Sequence, residues 1–130
     1  RRKKMGLDSH ICTQEHQQDK PKAVCYWRKH YMLHAFMEEE WRKTTAGQNE
    51  GQAWRLKHPN RRDLVEMIDT DRLDLTLPII RRLENRMQER DFYEDTADFE
   101  LEDRKQDDAR FLQLAKEALG NKTIIFYTPS

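Results

Sequence analysis

Three side chains able to ligate a metal recur one helical turn apart: His30, His34 and Glu38, at i, i+4 and i+8. On a helix this spacing sets them along one face. Two imidazoles can hold a divalent cation and a carboxylate can add a third bond, with Asp8, His10 or Cys12 as a fourth ligand. The pattern H-x-x-x-H lacks the glutamate that makes H-E-x-x-H a metalloprotease signature. The same residues also fit a structural role, with His34 half-buried between Trp27 and Trp41 and hydrogen-bonded inside the core. A small metal-dependent enzyme centred on His30 and His34 is one expectation.

Two further constellations carry other chemistry. Trp27-Arg28-Lys29 and Trp41-Arg42-Lys43 repeat an aromatic-basic cluster. Trp27, Arg28, Trp41 and Arg42 could stack bases and neutralise phosphates as a direct nucleic-acid binder. Alternatively the tryptophans anchor the core while the bases reach solvent. From Asp91 to Ala109, nine acids face two bases, a local net charge of −7. Carboxylates on a helix can imitate a row of phosphates and steer a protein partner, with Asp95, Asp98, Glu102 and Asp103 as the contact surface. The plainer reading is a solvated helix face. Nucleophilic catalysis finds thin support, since Cys12 has only His10 or His16 near it in sequence and the four glycines are dispersed.

The elements must bring these residues into place. Leu7 to Cys12 predicts a short strand with Leu7, Ser9 and Ile11 on one side, and Thr13 to Pro21 a polar loop. Lys22 to Lys43 predicts the central helix, because Trp27, His34 and Trp41 repeat every seven residues. It should end near Thr44, before a weakly patterned stretch to Pro59. Asn60 predicts the cap of a short helix with Leu64, Met67 and Ile68 inward. Thr76 predicts another, with Pro78 in its first turn and Ile80, Leu83 and Met87 on one face. A last helix carries Phe111, Leu112, Leu114, Ala115, Ala118 and Leu119, with Gly120 just beyond its end. Thr123 to Tyr127 reads as a strand, and two short strands need each other as partners.

A chain of 130 residues has room for one domain. Lys plus Arg equals Asp plus Glu at 24 each, so no overall field draws it to nucleic acid or an anionic membrane. Twelve Leu against eight Val and Ile favour helix over sheet. The expected class is α+β, a helix-dominated single domain over residues 5–130 with a short sheet formed by the N- and C-terminal strands. Arg1-Arg2-Lys3-Lys4 reads as a leader or expression remnant ahead of Met5. No membrane span or signal pattern is visible, and two cysteines suit a reducing, cytoplasmic setting.

Met5-Gly6-Leu7-Asp8, together with Tyr26-Trp27-Arg28-Lys29, Leu33-His34 and Phe36, resembles a family of small uncharacterised phage and prophage proteins. That family opens Met-Gly-Leu-Asp, carries Tyr-Trp-Arg-Lys before an Ile/Leu-His pair and an aromatic, and ends in an aromatic strand like Ile125-Phe126-Tyr127. The chain departs from it at Tyr31, where the family has Asn, and after Leu77-Pro78, where the family is rich in Gly and Phe. The resemblance implies a phage context and transfers no catalytic residue or cofactor. A binding protein explains such a chain better than an enzyme. The leading expectation is an accessory protein acting in the host cytoplasm on a host protein, such as a component of a CRISPR or other defence system.

Overall fold

The computed structural model describes residues 7–130. The leader at 1–4 and the Met5-Gly6 pair lie outside the described residues. Chain order is β1 (Asp8–Gln14), β2 (Lys22–Arg28), α1 (Tyr31–Arg42), α2 (Thr45–Lys57), β3 (Leu73–Asp74), α3 (Leu77–Met87), α4 (Asp98–Gly120) and β4 (Ile124–Pro129). The strands form one antiparallel sheet in the order β2-β1-β4-β3, so the N- and C-terminal strands lie side by side at its centre. The class is α+β, as the composition and patterning predict.

Alternation decides which face of the sheet is covered. Ile11 lies opposite Cys25 on one side and Tyr127 on the other, and Tyr127 lies opposite Leu73. These residues share one face, and there they join Trp27, Leu33, Met37, Trp41, Ile80, Leu83, Phe111 and Ala115 in a single core. Polar ties fix the helices to one another: Arg82 grips Glu40 with two bonds of 2.7 and 3.1 Å, and Lys116 reaches Glu84 at 2.8 Å. No helix among the described residues is long and apolar enough to cross a membrane.

Four sequence expectations need correction. The central helix does not begin at Lys22. Residues Lys22–Arg28 are a strand, and the helix starts at Tyr31 after Lys29 turns left-handed at φ 55°. Ala23-Val24-Cys25-Tyr26-Trp27 suits a pleated surface, and β1 offers it a full partner. Trp27 therefore reaches the core from the sheet, while His34 and Trp41 reach it from α1. Secondly, the stretch after Thr44 is helix α2, capped by the Thr44 side chain, which accepts from Gly47 N at 3.1 Å.

Thirdly, no helix follows Asn60. Val65 and Met67 are buried on an irregular segment, and Leu64 is exposed. Side chains satisfy its backbone instead: Glu38 accepts from Met67 N, Asp71 accepts from Ile68 N, and Arg42 donates to Val65 O. Finally, the last helix includes the acidic stretch from Asp98 and incorporates Gly120, and the left-handed residue beyond it is Lys122 at φ 59°. The Lys122 and Thr123 amides bond back to Leu119 O and Ala118 O, closing the helix with a Schellman pair. The strand at Leu7 to Cys12 runs on to Gln14, whereas Thr76 caps α3 and Pro78, Ile80 and Leu83 stand in it as predicted.

Gly47 shows how closely α1 and α2 meet. A Cβ there would strike Trp41 O and come within 2.7 Å of Arg42 Cα, both backbone atoms that cannot swing aside. Gly47→Ala is expected to destabilise the fold by about 1–3 kcal/mol, the usual range of overpacking. Urea unfolding of the two proteins checks this, and an unchanged midpoint would show that the helices are free to separate.

Candidate functional site

His34 sits on α1 facing the sheet. Its Nδ1 lies 2.7 Å from the Tyr127 hydroxyl and its Nε2 3.3 Å from Glu38 Oε2. A carboxylate only accepts, so Nε2 carries the proton and Nδ1 accepts from Tyr127. Tyr127 in turn accepts from Ser9 Oγ at 2.9 Å. Donors thus run in one direction from Ser9 through Tyr127 and His34 to Glu38. Burial of Tyr127 pushes its phenol far above the ordinary range, which keeps it a donor. The ring nitrogens of His34 are both committed, so this run binds β1, β4 and α1 together and offers no free base.

His30 has a different task. It caps α1, its Nδ1 accepting from Leu33 N at 3.4 Å, and its Nε2 donates to Asp108 Oδ2 at 3.1 Å. Tyr93 donates to the same oxygen at 2.6 Å, and burial with that bond drives its phenol strongly upward. Asp108 is only 1 % exposed, yet among the described residues its Oδ1 has no partner, and neither has Trp27 Nε1. Both residues surround His30, beneath an open cleft of about 810 Å³. One wall carries Asp95, Glu100, Asp103 and Asp107 with Arg104 among them; the other carries Tyr26, Arg28, Lys29 and Tyr31.

The structure distributes the candidate residues as follows. His34 and Glu38 meet, at 3.3 Å, but His30 does not join them: it is a cap bound to α4, while His34 also bridges α1 to β4. Among the described residues, no group of three or more His, Cys, Asp and Glu side chains is arranged to hold a metal ion. Trp27 and Trp41 are 4 % and 1 % exposed, so their faces are not open to stacking bases. Arg42 is engaged by Glu38 and Val65 O, while Arg28 is exposed on β2. Cys12 and Cys25 are free thiols, and burial pushes both upward, Cys25 to about 11, which leaves little thiolate for nucleophilic attack.

The acids divide between two faces of α4. At 100° per residue, Glu100, Asp103 and Asp107 share the cleft side with Arg104, whereas Asp98 and Glu102 lie opposite Glu100. Between Glu102 and Asp103 stands Phe99, 84 % exposed, three and four residues before them. Asp95, Asp98, Glu102 and Asp103 are all exposed around it. Phe99, Asp108, Tyr93, Ser9 and Tyr127 all escaped the sequence reading as functional or network residues. Asp108 did leave a signal, an acid on the same stripe as Phe111, Ala115 and Ala118. No protein-family model, curated protein or solved structure matches the chain.

The His34 run has a consequence for acid stability. Burial alone would raise the Glu38 carboxyl, but bonds from His34 and Met67 N, with the charge of Arg42, outweigh it and hold the group below the usual range. Glu40 is also held low, chiefly by its bonds from Arg82. The unfolded chain then takes up protons first, so these groups stabilise the fold above the ordinary carboxylate range. That stability is lost as pH falls through about 4 toward their folded values. Denaturant midpoints should drop between about pH 5 and 3. Glu38→Gln should lower stability near neutrality by about 1–3 kcal/mol and flatten that pH dependence. An equally steep dependence in the variant would show that Glu38 is not among the groups responsible.

Proposed function

We propose that this chain is a phage-associated accessory protein that binds a host protein through the N-terminal half of α4. The observation that carries the reading is Phe99, a large aromatic almost wholly in solvent and ringed by Asp95, Asp98, Glu102 and Asp103. An apolar anchor within a charged rim is the anatomy of a protein-protein hot spot. The partner it fits offers an apolar pocket bordered by lysines and arginines, as nucleic-acid-handling proteins of host defence systems do. The acids would speed encounter and fix register while Phe99 supplies burial.

Affinity capture from host lysate, with and without nuclease, tests the reading. The expected outcome is a nuclease-resistant protein whose retention falls at least about tenfold in Phe99→Ala, or when Asp98 and Glu102 are neutralised. The thermal midpoint should be unchanged in Phe99→Ala, because that side chain lies almost wholly in solvent. Retention that survives those changes would overturn it. So would capture of nucleic acid that is sensitive to salt and lost in Arg28→Ala.

A further inference from the structure

β2 is an edge strand, and among the described residues no strand pairs with its outer side. The direction of its free groups follows from its neighbours. Asp8 O accepts from Ser130 N, and Leu7 O accepts from Lys29 N. Antiparallel strands alternate, so Arg28 and Tyr26, opposite Asp8 and His10, turn their N–H and C=O away from β1. The Arg28 carbonyl accepts from the Arg104 guanidinium at 3.3 Å. That bond marks α4 as the neighbour of this edge, and Cys25 also feels the charges of Arg110 and Asp107. The cleft opens at the C-terminal end of β2, with Trp27 in its lining and the indole N–H of that residue lacking an acceptor among the described residues.

We propose that an extended, basic segment of a protein partner adds to β2 as a fifth strand and places a lysine or arginine, opposite Trp27, in the acid-walled cleft. This rests on the reading of the chain as a protein-binding protein and names the chemistry of what it binds. Strand side chains alternate, so residues opposite Tyr26 and Arg28 lie on the outer face of the sheet. The residue opposite Trp27 lies on the α4 side. There its cation meets Asp95, Glu100, Asp103 and Asp107, which outnumber the Arg28, Lys29 and Arg104 that share the cleft. Backbone bonds supply affinity independent of sequence, and the cation supplies selection. The incoming strand's N–H replaces the Arg104 bond at the Arg28 carbonyl.

The test uses the full chain and a fluorescein-labelled peptide, Thr-Val-Thr-Lys-Thr-Val-Thr, followed by anisotropy. Replacing the peptide lysine with glutamate should weaken binding at least about tenfold, as should Glu100→Gln combined with Asp107→Asn in the protein. Tyr26→Pro removes an outward N–H without breaking a bond to β1 and should abolish binding. Peptides N-methylated at alternate amides make the same demand without altering the fold, and one of the two registers should fail to bind. No binding of the lysine peptide would overturn the proposal. Equal binding of the lysine and glutamate peptides, indifference to methylation in both registers, or a dimer of the chain that Tyr26→Pro dissolves would do so as well. Phe99→Ala should leave peptide binding unchanged, so loss of host-protein capture and loss of peptide binding report on different faces of α4.

Discussion

A hydroxyl buried away from water must find its hydrogen-bond partners inside the protein, and Tyr127 finds them on two elements at once. Ser9 comes from β1 and His34 from α1, with all three atoms within 2.9 Å of a neighbour in the run. The demand is exacting because the register of β1 and β4 must set Ser9 and Tyr127 on the same face. A slip of one residue would turn one of them to the opposite side. With His34 held at the sheet, the rotation of α1 about its axis is also set. Leu33, Met37 and Trp41 then enter the core, Glu38 and Arg42 reach the backbone at 65–67, and Glu40 meets Arg82.

The two histidines of this region show how one residue type serves two ends. His30 has non-helical backbone angles and closes the first turn of α1, which leaves its second nitrogen for Asp108 on α4. His34 lies one turn on, inside the helix, and faces the sheet. Each directs one ring nitrogen at a carboxylate and uses the other for a second partner, so neither nitrogen is left over. What remains unsatisfied among the described residues lies beside His30, at Asp108 Oδ1 and Trp27 Nε1. A buried carboxylate oxygen without a donor is costly, and it sits where the cleft and the acidic face of α4 meet.

Helix α4 explains how a segment with this much negative charge can be ordered. Its C-terminal half is anchored by Phe111, Ala115 and Ala118 in the core. Its first turn has no side-chain cap, and Asp98 and Glu100 complement the positive end of the helix dipole there. The N-terminal half therefore extends as a continuation of an anchored helix, with one face toward β2 and another, bearing Phe99, toward solvent. The same geometry gives the acids two settings, an outer rim and a cleft wall.

Local chemistry determined much of the architecture. Alternation marked Leu7, Ser9 and Ile11, and the aromatic run marked the C-terminal strand. The Thr76–Pro78 cap marked α3, and the apolar spacing of Phe111, Ala115 and Ala118 marked the end of α4. Signals of this kind lie within a few residues of one another, so the chain carries them without its fold. The segment 22–28 shows the limit. Trp27 continued the seven-residue repeat of His34 and Trp41 and so read as helix, whereas pairing with β1 makes the segment a strand. The irregular segment at 60–72 had helical spacing too, but its backbone groups are satisfied by Glu38, Arg42 and Asp71. The polar networks belong wholly to tertiary structure, since Ser9 and Tyr127 are 118 residues apart and His30 and Asp108 are 78 apart. Which side chain answers a buried donor depends on strand register and helix rotation, and those are set by the packing of distant elements rather than by the preferences of the residues themselves.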